Sequence, residues 1–320
     1  MSDSSFLGFK FAPVKLEDRG TLTEFLGKYP QRLAGYTFAT LAAWCSYFRY
    51  EWAFAEPELL LISCVLEPDS RRHLLQPIGP VSESVIHALE SRAPDLPYPL
   101  KIIGVSDSFL KLHAELSSSF SVSEDRAVSN YIYSAQALAQ LSGRKYSKKR
   151  NLLSQANGLY RWICEPLRSG NIEKCFSILE SISSEERPQV EGMLKRELAA
   201  LDCTLRHVEE FNQKGLVLSV DDRPVAFSIY EPISPSTVAI HFERALRSYK
   251  GLYQVINLET AKVIAAEGFQ HINREEDLGD PGLRDAKMSY HPIEIVPAYE
   301  LTYQSKALLL PEGGNPATAP

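Results

Sequence analysis

The segment HINREEDLGDPGLRDAKMSYHP, His271 to Pro292, combines acids, bases and chain breakers in a pattern that few architectures accommodate. It sets Arg274, Glu275, Glu276, Asp277, Arg284, Asp285 and Lys287 around Gly279, Pro281 and Gly282. A solvated helix can carry the charges, but glycine and proline in a helix interior cost about one to three kcal/mol each. The pattern predicts a short strand (HIN), a charged turn, then a short helix or turn feeding a last strand (AKMSYHP). Loops this rich in opposite charges are more often sites than scaffolds. A surface loop tied down by its own ion pairs has the same appearance.

Upstream, Tyr253 to Glu267 carries Val255, Leu258, Ala261 and Ala265 on helical spacing, and Gly268 suits the residue after a helix end. Thr237 to Phe242 reads as a strand. Leu216 to Val220 and Val225 to Tyr230, separated by Asp221-Asp222-Arg223-Pro224, read as a hairpin. From Glu185 to Phe211, Val190, Leu194, Leu198, Leu201, Leu205 and Val208 line one face of a long helix. Ser183 or Ser184 is its expected cap and Lys214-Gly215 its stop. The second half therefore runs helix, hairpin, strand, helix, strand, turn, strand. Between the halves, Ile132, Ala135, Leu138 and Leu141 suggest a helix, followed by the basic run SGRKYSKKRN.

The first half opens with an amphipathic segment, Leu16 to Leu26, and the aromatic-rich stretch Tyr36 to Tyr50. Strand-like runs follow at Ala53 to Phe54, Leu59 to Val65 and His73 to Pro77, then a helix at Ser82 to Ser91 and a strand at Leu100 to Val105. This mixture indicates α/β layers. At 320 residues the chain suits two domains, with 44% hydrophobic and 23% charged residues as in ordinary globular proteins. A net charge of −6 argues against bulk attraction to nucleic acid or anionic membrane, leaving only local patches. The five cysteines form no C-x-x-C pair and read as buried thiols in a reducing compartment. The N-terminus lacks a secretory pattern, and the longest apolar run, LLLISCVL at Leu59 to Leu66, is too short for a membrane span. A cytoplasmic location is expected, as is a disordered tail at 311–320 (PEGGNPATAP).

The order of elements resembles the acyltransferase fold of the GCN5-related N-acetyltransferase (GNAT) superfamily. The chain also resembles the bacterial family related to the C-terminal domain of phosphatidylglycerol lysyltransferase. That resemblance is carried by Gly143-Arg144-Lys145 with Lys148-Lys149-Arg150-Asn151, by His241-Phe242-Glu243, and by Lys250-Gly251-Leu252-Tyr253-Gln254 with Ile256-Asn257. Above all it rests on Asn273 to Gly279 with Gly282-Leu283-Arg284, Ala286-Lys287 and Ser289 to Pro292. The resemblance implies an α/β (α+β) chain of two tandem GNAT-like domains, each a mixed central sheet flanked by helices. The domains are expected at 1–145 and 146–310. Fem-type aminoacyltransferases share the arrangement, and such relatives move an amino acid from aminoacyl-tRNA to a lipid or peptidoglycan amine or hydroxyl. The lysyltransferase's membrane-embedded flippase region has no counterpart in this sequence.

Acyl transfer requires a proton acceptor, a stabiliser for the tetrahedral oxyanion and a hold on the acyl carrier. His241, Glu243, Glu275, Glu276 and Asp277 are candidate bases. Arg274, Arg284 and Lys287 are candidates for binding an oxyanion, phosphate or carboxylate. Arg247, Lys250 and Gly251, ahead of a helix N-terminus, are candidates for cradling phosphate. The loop lacks the Q/R-x-x-G-x-G/A spacing of an acetyl-coenzyme A binder. Arg144, Lys145, Lys148, Lys149 and Arg150 form a candidate tRNA contact or else a solvated junction helix. No histidine stands at metal-ligand spacing to these acids. Three readings stay open: an aminoacyltransferase using aminoacyl-tRNA with a small or lipid-linked acceptor, an acyl-coenzyme A-dependent N-acyltransferase, and a non-enzymatic binding or scaffold protein.

Overall fold

The computed structural model describes residues 5–185 and 191–304, which form two compact units. The first comprises residues 5–13, 51–125 and 298–304; the second comprises 14–50, 126–185 and 191–297. Each unit is drawn from separated stretches of chain, and the expected 145/146 boundary falls within the turn Arg144–Tyr146 of the second. The expected tail at 311–320 lies outside the described residues. Among those residues no helix is long and apolar enough to cross a membrane.

The first unit holds a seven-stranded mixed sheet in the order Ala12–Pro13, Glu51–Glu56, Leu59–Leu66, Arg71–Leu75, Lys101–Val105, Tyr299–Tyr303, Phe120–Glu124. The apolar run LLLISCVL is an interior strand, buried from Leu59 to Cys64, as an unbroken hydrophobic run requires. Arg71–Leu75 and Lys101–Val105 are parallel neighbours, so the chain must cross over between them. The helix Glu83–Arg92 lies in that connection, and the Ser82 hydroxyl at its N-cap accepts from the Val85 N–H.

The second unit holds another seven-stranded mixed sheet, ordered Trp162–Pro166, Lys214–Val220, Arg223–Ser234, Thr237–Ala245, His271–Asn273, Asn130–Ser134, Glu294–Val296. The expected hairpin is present. Asp221 and Asp222 take the left-handed conformation at its tip (φ 47° and 63°), which aspartate tolerates and a two-residue hairpin turn needs. Thr237–Ala245 and His271–Asn273 are parallel and joined by the helix Leu252–Ala266, with Gly268 left-handed after its end. That helix packs on Ala135–Gln140 and Ser147–Leu159.

Three expectations fail here for identifiable reasons. Ile132 belongs to the strand Asn130–Ser134; the helix starts only at Ala135. Tyr131, Ile132 and Tyr133 are all buried, and an aromatic and β-branched run between two strands favours the sheet. The long helix expected at Glu185 to Phe211 corresponds, among the described residues, to the last residue of a helix Ile172–Glu185 and to a helix Glu191–Arg206, with Val190 outside the described residues. Ser183 lies inside the first, where its hydroxyl donates to the Leu179 carbonyl and caps nothing. Lys214-Gly215 opens a strand. A Cβ on Gly215 would stand 2.5 Å from the Ser228 carbonyl oxygen, so this glycine permits a close strand approach. Finally, the last strand does not fall in AKMSYHP. Asp280 caps a helix over Pro281–Met288 by accepting from the Leu283 N–H at 2.7 Å, and Pro281 occupies the first helical position, where its missing N–H costs nothing. The strand follows at Glu294–Val296.

Candidate functional site

The parallel ladder between Thr237–Ala245 and His271–Asn273 lasts only three pairs, ending at Ala239 with Asn273. Beyond it the first strand continues to Ala245. The other chain turns toward Tyr131: the Arg274 N–H donates to the Tyr131 carbonyl at 3.0 Å and the Tyr131 N–H to the Glu275 carbonyl at 3.2 Å. A wedge opens between the diverging strands, and most of the expected acids and bases line it.

Two local devices aim them. On the first strand, Ile229 pairs with Phe242 and Tyr230 with Ile240, so His241 is the extra residue of a β-bulge. A bulge interrupts the in-out alternation and redirects a side chain. On the second, the Asn273 side chain accepts from the Glu275 N–H at 2.8 Å and the Asp277 side chain from the Gly279 N–H at 2.9 Å, two successive Asx turns. Glu275, Leu278 and Gly279 are left-handed (φ 57°, 51° and 78°), so the chain reverses sharply and presents neighbouring residues in different directions. Asn273 itself is buried and anchored on Asn130 Oδ1 (2.9 Å) and the Arg32 carbonyl (3.1 Å).

Ion pairs span the wedge. His241 Nδ1 lies 2.7 Å from Glu275 Oε1 and Nε2 lies 2.8 Å from Glu231 Oε1, which also accepts from the Thr37 hydroxyl. Burial alone would lower the imidazole pKa; the Glu275 and Glu231 carboxylates outweigh it and raise it to about 10. His241 is thus a clamped imidazolium with both nitrogens engaged, unsuited to accept a proton at neutral pH. Arg274 donates to Glu243 Oε1 at 2.7 Å, and its guanidinium stands 5.2 Å from the Tyr290 ring centroid and 5.9 Å from that of Tyr133.

Asp277 points the other way. Its carboxylate is fully buried and accepts from Arg284 Nε (2.8 Å) and Nη2 (2.9 Å), from Arg126 Nη1 (3.3 Å) and from the Tyr131 hydroxyl. The Arg284 hydrogen bond dominates in holding this carboxyl far below the usual carboxylate range, against the opposing pull of burial. Asp277 and Arg284, both expected at the reacting centre, form a buttress that fixes the turn to the Tyr131 strand.

The groups whose proton affinities shift toward neutrality are Glu276, Lys287 and Lys149. Burial, then the Glu275 charge, pushes Glu276 up to about 7. Burial, then the nearby Arg274 guanidinium, brings both Lys287 and Lys149 down to about 8. Lys287 Nζ donates to the Arg274 carbonyl, and Lys149 Nζ stands 3.9 Å from the Tyr290 ring centroid. Buried groups tuned to near-neutral titration mark functional sites more often than scaffolds.

The expected basic cluster is divided by the helix Ser147–Leu159. Lys149 turns into the wedge, whereas Arg144, Lys145 and Lys148 are exposed. Arg150 is committed to the Leu141 and Gly143 carbonyls, at 2.6 Å each. The expected phosphate loop also has a structural side. Gly251 is left-handed (φ 85°) at the N-cap of Leu252–Ala266, and a Cβ there would stand 2.7 Å from the Leu152 carbonyl oxygen. Arg247 and Lys250 are exposed, and the Lys250 N–H donates to the Tyr160 hydroxyl at 3.2 Å. Glu231 and Tyr133 join the site without having been singled out, because an acid at a hairpin end and a tyrosine in an apolar run carry no local mark of function; Tyr290 and Asn257, quoted for the family resemblance alone, join it as well.

The model of the family described as "Phosphatidylglycerol lysyltransferase, C-terminal" matches residues 27–302. A conserved protein of unknown function from Bacteroides thetaiotaomicron is 31% identical over 92% of this chain and 100% of its own, with a TM-score of 0.84. The C-terminal domain of a putative lysylphosphatidylglycerol synthetase from Agrobacterium fabrum shares the fold at 14% identity, covering 91% and 93% of the two chains with a TM-score of 0.63. FemX does so at 10% identity over 94% and 98%, with a TM-score of 0.57. No curated protein matches significantly. The fold is thus one shared with these chains, and the chain belongs to the family of the phosphatidylglycerol lysyltransferase C-terminal domain.

Proposed function

We propose that the protein transfers an aminoacyl group, carried on tRNA, to an amine or hydroxyl of a small or lipid-linked acceptor. The observation that carries this reading is the wedge itself, where the Glu276 carboxyl, pushed up to about 7, lies beside Glu275 and Lys287, and where Lys287 and Lys149 both stand near the Arg274 guanidinium. A base poised near the working pH is the requirement for deprotonating a nucleophile. Cations in a water-poor cleft are the requirement for stabilising an oxyanion.

Glu276 accepts the proton of the acceptor N–H or O–H as its lone pair attacks the ester carbonyl carbon. The carbonyl electrons move to oxygen, where Arg274 and Lys287 balance the charge. Collapse reforms the carbonyl and breaks the ester C–O bond, and the departing ribose hydroxyl takes the proton back from Glu276. His241 holds Glu275 and Glu231 in place as an imidazolium. The exposed Arg144, Lys145 and Lys148, with Arg247 and Lys250, meet tRNA phosphates.

The test is incubation of the pure protein with pools of charged tRNA and fractionated cell extract. Protein-dependent loss of the aminoacyl ester, with label appearing in an acceptor, is expected. No deacylation above background with any extract, together with thermal stabilisation by acyl-coenzyme A thioesters, overturns the proposal in favour of a coenzyme A donor.

A further inference from the structure

Asn257 is 1% exposed on the helix Leu252–Ala266, and no described residue offers its side-chain oxygen a hydrogen bond. Its Nδ2 donates to Glu243 Oε2 at 3.3 Å. That contact fixes the orientation of the amide, because a flipped side chain would set its oxygen against the carboxylate. The Oδ1 atom shares a carbon with the Nδ2 that donates to Glu243, so the unpartnered acceptor and the carboxylate belong to one linked group. A buried acceptor without a donor costs about 1–3 kcal/mol, and such atoms are few in native folds. Here the amide that carries it donates to the carboxylate that Arg274 grips through the other oxygen.

Two linked acceptors, one of them ionised, complement a compact cation with several N–H donors. A thioester acyl chain provides no such group, whereas every aminoacyl ester of a primary amino acid carries one beside its reacting carbonyl. We propose that Asn257 Oδ1 and Glu243 receive the α-ammonium of the donor's aminoacyl group. This assignment rests on the aminoacyl-transfer reading and makes Asn257 a specificity-determining residue that selects aminoacyl over plain acyl donors.

The probes are the amides of the proteinogenic amino acids, which keep the ammonium and mimic the ester carbonyl, set against their N-acetylated counterparts. Calorimetric titration of the full-length protein should show at least one amide binding and its N-acetyl form binding roughly tenfold more weakly or not at all. Asn257→Leu, of the same branched shape but without an acceptor, should erase that preference. Binding of no amide, equal binding of the acetylated form, or an unchanged preference in a folded Asn257→Leu protein overturns the proposal. The comparison of free and acetylated amides needs only the wild-type protein, so it stands even where a variant misfolds. Amide selectivity without tRNA deacylation would retain the subsite and reject the tRNA-borne donor. Deacylation that is indifferent to Asn257→Leu would do the reverse.

Discussion

Replacing Asp277 by asparagine separates the scaffold of the charged motif from its chemistry. Asparagine keeps the volume and one oxygen, but it sets an N–H group where two guanidinium nitrogens of Arg284 now donate at 2.8 and 2.9 Å. Removing one partner of a buried ion pair costs about 3–5 kcal/mol. The Arg284 side chain is 38% exposed, so water takes up part of its released charge, which places the loss near the lower bound, about 3 kcal/mol. For a unit of this size that is a drop of roughly 6–12 °C in melting temperature. Calorimetry is the suitable assay, because the two units need not melt together. Hydrogen exchange at the Tyr131 and Arg274 amides, which join the buttressed turn to the sheet, should accelerate in parallel. The Asp277 carboxyl is held far below its ordinary range, so its contribution is fully present above about pH 4 and is lost as the pH falls through the depressed folded value. Between pH 5 and 8 the gap between wild type and variant should therefore stay constant. Asp277→Asn melting within about 1 °C of wild type refutes the assignment as a buttress; so does full stability with transfer abolished.

Glu276→Gln should fold normally, lower transfer by about 10²–10⁴-fold and remove the acidic limb expected near pH 7 in the wild-type rate profile. The His241 ring should give two protonated nitrogens by ¹⁵N NMR at pH 8; a midpoint below 7 would remove the clamp. The stability that clamp adds is complete below about pH 6.5 and fades as pH rises through about 10. The gap to a His241→Gln variant should then narrow by up to about 1.4 kcal/mol per pH unit between 7 and 10, read by urea unfolding. Gly251→Ala should cost about 2 kcal/mol or more in the same measurement, from a left-handed backbone and a Cβ 2.7 Å from the Leu152 carbonyl oxygen.

Much of the second sheet is readable where local chemistry and final role agree. The Asp221-Asp222 turn, the apolar runs on either side of it and Gly268 after the helix Leu252–Ala266 all state their geometry in a few residues. The strand Asn130–Ser134 does not, because Ile132, Ala135 and Leu138 satisfy a helical period while the sheet buries Tyr131 and Tyr133 from partners far along the chain. The division into units is hidden for a similar reason: residues 14–50 join a body otherwise built after residue 125, and no composition shift marks the crossing. The candidate site is legible as a set of residue types, since His241, Glu243, Arg274, Glu275, Glu276 and Lys287 do converge. Their division of labour is not.

That division follows from backbone geometry more than from residue type. Glu276 and Asp277 are adjacent carboxylates in one motif, yet one is pushed up to about 7 and the other far down. The left-handed residue before them and the Asx turn after them face Asp277 toward Arg284, Arg126 and Tyr131. Glu276 instead lies where burial and the Glu275 charge dominate. A conformational change at Glu275 alone would redistribute both carboxylates. The His241 bulge holds Glu275 from across the wedge, which couples the strand geometry directly to the proton affinity of the proposed base. Glycine at position 275 should thus preserve the turn, which already has positive φ, while releasing His241 and removing the negative neighbour that raises Glu276. The expected result is a folded protein whose acidic activity limb moves below its wild-type position. A limb that stays in place would show that burial alone sets the proton affinity of Glu276.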